Sequence, residues 1–458
     1  MDDHAEDERQ ITCKLTSKLP SPYRVPPEPL ALPSSLTRLG LSQVVNHLLA
    51  LEEPHPFDFL INGALLRQPL GAFLREHEIS AEATLTIEYI PAIKPPQSSH
   101  AEPHDDWVAA VAVVDGADAP GSGRRSNPHV IVSGAYDGIV RTWSYGAGVA
   151  GRCLAAHTSH DGPVSGVCVH GGGGVGSFVV SAGKDGRLVG HGMDSHGVLS
   201  AQVAYEGHAD AVDCVAASPG GESVVSGGWD GAVRVWAAPE RAARDAERQD
   251  GDDAEDEAPK KKKKRSGRNG AGDAALPVLR SHQALEKHSQ CVSGVAWASP
   301  SSLVSCSWDH AARIWDAETG ACVDTLNGAK ALFSVSVAED GRAVALAGAD
   351  KAWRLWDPRA RSPDGSVVLK AFHSHKAWVA GIAFCAQSPH HLATASHDGT
   401  VKIWDLRAVV PLATVEAHED KALCVAWLGG SAVVSGGADC RLAIHEVGLA
   451  GALGDTGG

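Results

Sequence analysis

The sequence predicts a mainly β protein: a seven-bladed β-propeller preceded by a small α+β domain of β-grasp type. Three observations predict it. Gly207 to Trp236, GHADAVDCVAASPGGESVVSGGWDGAVRVW, alternates apolar and polar residues in short runs, broken at Ser218-Pro219-Gly220-Gly221 and Trp229-Asp230-Gly231. Period-two alternation between Gly, Pro and Asp turns is a β-meander pattern, not a helical one. The same unit recurs along the chain at the spacing of propeller blades. Residues 1–93 lack the unit and instead mix strand patterns with a helical stripe.

With 458 residues the chain has room for more than one domain. Fifty glycines and 21% charged residues suit many tight turns and few long charged helices. The formal net charge of −15 argues against a polyanion binder and for partners with basic surfaces or contacts independent of net charge. No run of 18 apolar residues is present, so neither a membrane span nor a membrane partner is expected. The start, MDDHAEDERQ, is acidic and lacks the apolar core of a secretion signal. The ten cysteines include no C-x-x-C pair, and Cys168, Cys214 and Cys424 sit in apolar strand patterns. They read as reduced core residues of an intracellular protein.

In the first domain, Arg9 to Thr16 alternates as a strand, and a Pro-rich passage follows from Pro20 to Pro33. From Gly40 to Leu51, Leu41, Val44, Val45, Leu48 and Leu49 form the stripe of an amphipathic helix, with Ser42 as its N-cap. Phe57 to Arg67 reads as a hairpin turning at Asn62-Gly63. Leu70 to His77 is a short helix, and Ala83 to Ile90 a last strand with Leu85, Ile87 and Tyr89 on one side. Strand, strand, helix, hairpin, helix, strand is the order of a ubiquitin-like β-grasp.

The strings LGLSQVVNHLL (39–49), PFDFLINGALLR (56–67) and SAEATLTIEYIPAIKPP (80–96) resemble the NLE (Notchless-like) domain, which precedes the propeller in two families of ribosome-assembly WD-repeat proteins. The resemblance implies that residues 9–93 dock on the metal-ion-dependent adhesion site of the ATPase midasin. In S-A-E-A-T-L it implies that Glu82 completes the partner's Mg²⁺ shell. A hard cation left partly hydrated by its host takes one carboxylate oxygen in this way. Without the resemblance, Glu82 would read as a solvated turn carboxylate. The chain needs no cofactor of its own.

Residues 94–103 (from Lys94 to Pro103) are Pro/Ser-rich and read as a linker; 104–448 is the propeller. His-x-x-x-Val starts at His104, His160, His208, His288 and His375, and His418 keeps the His. The turn aspartates are Asp137, Asp185, Asp230, Asp309, Asp350, Asp398 and Asp439. Six residues after each stand Trp143, His191, Trp236, Trp315, Trp356, Trp404 and His445. Because the tail after His445 is short and Gly-rich, a segment within 94–104 is expected to supply the outer strand of the last blade, leaving no open edge.

These anchors resemble those of WD-repeat proteins. The resemblance implies a hydrogen-bonded chain inside each blade, running through His208, Ser226, Asp230 and Trp236 in blade three and through His375, Thr394, Asp398 and Trp404 in blade six. Blades one, three, four and six carry the full set. Blade five has Gly328 and Leu346 where the His and Ser belong, and blades two and seven lack the Trp, so these three are expected to rest on apolar packing and be softer. A catalytic Ser–His–Asp triad competes with this reading and loses. The set recurs blade after blade, as architecture requires and catalysis does not, and no G-x-S-x-G or H-E-x-x-H motif is present.

The spacing between Asp230 and Asp309 is 79 residues, against 41 to 48 elsewhere. The excess lies in 238–282, an acidic block followed by a basic one, expected to be a disordered loop. Within it Lys260, Lys261, Lys262, Lys263, Lys264 and Arg265 resemble a nuclear-localisation signal; a solvated loop or an arm contacting RNA phosphate is the other reading.

Six residues are candidates for a docking rim: Trp107, Tyr136, Trp229, Trp308, Trp378 and His397. They precede a turn Asp or a first strand, positions that point out of a propeller's top. Half-burial against the next blade is the competing reading. Seven blades with a charged insertion resemble the WD-repeat subunit family of the pescadillo-containing complex more than the eight-bladed Notchless type. That family implies a non-enzymatic scaffold for pre-rRNA processing and large ribosomal subunit maturation, acting in nucleus, nucleolus and nucleoplasm. Its implied partners are pescadillo, a second WD-repeat propeller, midasin and the pre-ribosomal particle. A WD-repeat substrate receptor of a ubiquitin ligase is the alternative of another class.

Overall fold

The computed structural model describes residues 10–447, except 20–22, 51–54, 81–82, 93–95, 101–102, 115–128, 147–148, 172–176, 195, 240–275 and 362–366. Glu82 and the basic run 260–265 lie outside the described residues.

The first domain is a five-stranded sheet on a helix. Its elements are β1 (Gln10–Thr16), β2 (Pro29–Pro33), α1 (Arg38–Leu49), β3 (Phe57–Ile61), β4 (Ala64–Leu65), α2 (Leu70–Glu76) and β5 (Leu85–Pro91). The sheet order is β2-β1-β5-β3-β4, with β1 parallel to β5 and the other pairs antiparallel. Ile11, Leu15, Leu41, Val45, Phe57, Phe59, Phe73, Ile87 and Tyr89 share its core. The Asn62-Gly63 turn forms as expected, with φ of +53° and +80°. That left-handed pair costs least at Asn-Gly.

Ser42 is not the N-cap. The helix starts earlier, after Thr37, and Ser42 is buried within it. Its hydroxyl accepts the Phe57 N–H at 3.0 Å and so ties α1 to β3. The expected stripe is also narrower: Leu41 and Val45 are buried, whereas Leu48 is exposed.

Seven further sheets form a propeller. Blade three is typical, with antiparallel strands Val212–Ala217, Ser223–Gly228, Ala232–Ala237 and Gln283–Glu286. The inner strand of each blade packs against the next, and the seventh, Ala422–Leu428, packs against the first, Val108–Val114. Blade seven takes its outer strand, β6 (Gln97–His100), from the segment after the β-grasp domain, antiparallel to Leu442–Glu446. The segment 94–103 is therefore a tether and a ring-closing strand in one.

The segment 238–282 is not loop throughout. Val278–Leu279 pairs in parallel with Leu199–Tyr205, giving blade two a fifth strand. The His282 N–H donates to the Val235 carbonyl at 2.9 Å, leading into blade three's outer strand. Val278-Leu279 is apolar enough to take an edge that the charged blocks cannot.

A candidate docking rim around the channel mouth

Two sets of polar and aromatic side chains recur around the ring, one sealed inside the blades and one at a channel mouth. In blade three, His208 Nδ1 bonds Asp230 at 2.9 Å and its Nε2 meets the Ser226 hydroxyl at 2.8 Å; Trp236 Nε1–H donates to the same hydroxyl at 2.8 Å. The serine bridges a donor-only indole and an imidazole, so each buried polar atom is paired. Blade four repeats this with His288, Asp309, Ser305 and Trp315, and blade six with His375, Asp398, Thr394 and Trp404.

Blade one departs from its expected full set. His104 Nε2 and Trp143 reach Ser133, but His104 Nδ1 has no partner among the described residues. Arg141 takes Asp137 instead, at 2.7 Å. Blades two and seven correct the expectation in the other direction. With Trp absent, His191 Nε2 approaches the Ser181 hydroxyl at 3.3 Å and His445 Nε2 approaches Ser435 at 3.3 Å. An imidazole nitrogen occupies the place of the indole N–H, so these blades keep a polar chain. Only blade five loses it: Leu346 replaces the hydroxyl, and Trp356 Nε1 is left unpaired among the described residues. There, Trp353 stacks on Phe372 with centroids 4.0 Å apart.

The hydroxyl-bearing residues of these chains, Ser133, Ser181, Ser226, Ser305, Thr394 and Ser435, are completely buried.

Burial also disfavours the charged form of some of these imidazoles. It pulls His104 and His375 down to about 4 and His191 to about 3. Unfolded histidines titrate near 6.5. Between pH 6.5 and 4 the unfolded chain therefore binds more protons, and stability falls as pH falls. For Asp230, burial acts upward, but the His208 and backbone hydrogen bonds outweigh it and bring the carboxyl to about 2, so its contribution is lost only below pH 4. Urea unfolding at pH 5 should thus show a loss of up to about 2 kcal/mol for each of His104, His191 and His375 relative to pH 7.5.

The second set encircles one mouth of the central channel. The six rim residues expected from the sequence all lie there and are brought together through three others. Trp107 lies 5.5 Å from Tyr136, and Lys184 Nζ sits 5.2 Å over Tyr136 and 5.8 Å over Trp229. Trp229 then meets Trp308 at 5.3 Å, Trp308 meets Phe333 at 6.3 Å, and Phe333 meets Trp378 at 5.7 Å. Trp378 meets His397 at 5.7 Å, and Lys421 lies 5.7 Å over Trp107. Burial, then Lys421, lowers the pKa of His397. The mouth opens on a cavity of about 700 Å³ lined by the inner strands.

Half-burial and exposure are both present, on different members. Trp107, Trp229 and Trp378 are 37%, 43% and 50% exposed, whereas Tyr136, Trp308 and His397 are half-buried beneath them. Inside the mouth Asp213 accepts the Trp229 Nε1–H at 3.4 Å, and burial raises its pKa. The arrangement presents rigid aromatic area, as a protein interface centre does, with Lys184 and Lys421 held over its rings.

Phe333, Lys184, Lys421 and Asp213 were missed in the sequence. Their signal is register. Phe333 and Asp213 each follow the first-strand anchor residue, where Ser165 and Ser293 also face the channel. Phe333 fills the gap left by Ala349, which precedes the turn Asp of blade five.

Comparison with known proteins agrees with this division. Residues 11–74 match the NLE (NUC135) domain, and residues 200–237, 279–316 and 366–405 match the WD domain, G-beta repeat. Those three matches fall on blades three, four and six, the blades whose polar chains run from Asp to Trp. The chain is 41% identical to a ribosome biogenesis protein WDR12 homolog of Chlamydomonas reinhardtii, covering 96% of this chain and 98% of that protein. It is 37% identical to the Arabidopsis thaliana WDR12 homolog, covering 97% and 99%. Ribosome biogenesis protein YTM1 of Eremothecium gossypii is 32% identical, covering 96% and 98%. The chain therefore belongs to the WDR12/YTM1 family of ribosome biogenesis proteins.

Proposed function

We propose that the chain is a non-enzymatic connector in large ribosomal subunit maturation, with two ends. Its channel-mouth rim docks on the propeller of a second WD-repeat protein in the pescadillo-containing complex. Its NLE domain is the handle by which midasin pulls the complex from the pre-ribosome, Glu82 giving a carboxylate to midasin's Mg²⁺. It acts in nucleolus and nucleoplasm during pre-rRNA processing, and Lys260–Arg265 directs its import. The reading rests on family membership and on the rim, two runs of aromatic rings with Lys184 and Lys421 between them, which is the most exposed aromatic surface described. Seven blades rather than eight favour it over the Notchless type.

Affinity purification of the tagged chain from nuclear extract is the test. Pescadillo and midasin are the expected companions. Cullin-ligase components in their place would overturn the proposal in favour of a ubiquitin-ligase receptor.

A further inference from the structure

The β3–β4 side of the β-grasp sheet's outer face is covered by the propeller. In β3, Phe57, Phe59 and Ile61 face the domain's own core, while Leu60 faces the other way with Leu65 and Ile90. These three pack on Ala408 and Leu412, in the turn that follows blade six's third strand, Thr400–Asp405. Polar contacts ring the patch. The Val409 N–H donates to the Gly63 carbonyl at 2.9 Å, and Arg67 donates to the Leu412 carbonyl at 3.4 Å. Arg407 grips Asp405 at 2.5 and 2.8 Å and reaches Glu88 of β5 at 3.5 Å. A Cβ on Gly63 would come 3.1 Å from the Arg407 carbonyl, so the two backbones touch.

The same domain is also tied to blade seven. Among the described residues its last backbone bond is from Ala92 N–H to the Pro56 carbonyl, at 2.9 Å, and β6 starts at Gln97. That leash spans at most about 17 Å. β6 itself is a four-residue edge strand, paired on one side only, through Gln97↔Glu446 to His100↔Ala443. A short edge ladder opens by peeling from its end, and a domain swinging on so short a leash levers on that end.

We propose that the dock on blade six keeps the propeller's seam shut: by fixing the β-grasp domain against blade six, it removes the lever that would peel β6 from blade seven. The domain thereby clamps blades six and seven together. This goes beyond the proposed function and does not depend on which partner grips the domain.

Ala408 is fully buried in the patch. Ala408→Glu forces a carboxylate into it, and Glu88→Arg sets two like charges against each other at Arg407 without entering either core. Hydrogen exchange of the full chain is the readout. In both variants, residues 97–100 and 442–446 should exchange at least about tenfold faster, while 391–396 and 57–61 keep wild-type rates. Unchanged protection at 97–100, with the Val409 amide newly exposed, would overturn the proposal. So would a wild-type chain whose Val409 amide exchanges as fast as in Ala408→Glu, since no dock would then exist in solution. Should Ala408→Glu also unfold blade six, Glu88→Arg alone decides.

Discussion

Thr394→Val should destabilise the propeller by roughly 3 kcal/mol, although the two side chains have nearly the same shape. Thr394 is completely buried; its hydroxyl accepts the Trp404 indole N–H at 2.9 Å and meets His375 Nε2 at 2.8 Å. Valine strands both groups where water cannot replace the lost partner. An unpaired buried donor or acceptor costs about 1–3 kcal/mol, so two of them outweigh any gain from the extra methyl. The loss is a large share of a stability of about 5–15 kcal/mol. Blade five marks the limit of the damage: it already carries Leu346 in this place and an unpaired Trp356 indole, and it still folds. The valine variant should thus fold with a lowered urea midpoint. Thr394→Ser, which keeps the hydroxyl, should stay within about 1 kcal/mol of wild type. Equal midpoints for the valine variant and wild type would mean that the chain of hydrogen bonds contributes nothing.

The fold was legible because both of its parts are periodic. Seven turn aspartates in one register, each followed six residues later by Trp or His, define the blades with no tertiary information. The β-grasp order followed from one stripe, one Asn-Gly turn and two alternating runs. What was not legible is what depends on geometry across blades. Blade one carries every anchor type, yet Arg141 captures Asp137 and His104 Nδ1 has no partner among the described residues. Blades two and seven looked deficient, yet a histidine nitrogen stands in for the indole. Ser42 looked like a cap because a polar residue stands at the head of an apolar stripe. Its hydroxyl is instead used by β3, whose Phe57 N–H is out of reach of any sequence pattern. The rim was half legible. Large aromatics beside the turn aspartates stood out, whereas Phe333 and Asp213 look like ordinary inner-strand residues until the strands are set around a channel.

The rim and the handle should fail independently. Trp378 is half exposed, with Phe333 and His397 packed at its flanks, so Trp378→Ala removes contact area without opening a core. An aromatic at an interface centre is worth about 2 kcal/mol or more, roughly thirtyfold in affinity. Glu82 belongs to the other domain; if its carboxylate completes midasin's Mg²⁺ shell as proposed, removing it leaves that ion one ligand short. The most direct test of a two-ended connector is therefore a pair of titrations, with Trp378→Ala and Glu82→Ala each measured against the purified partner propeller and against the midasin adhesion domain. Trp378→Ala should bind the propeller at least about thirtyfold more weakly and midasin unchanged, and Glu82→Ala should lose midasin and keep the propeller. Wild-type affinity at either end, or both affinities falling together in one variant, would contradict the account.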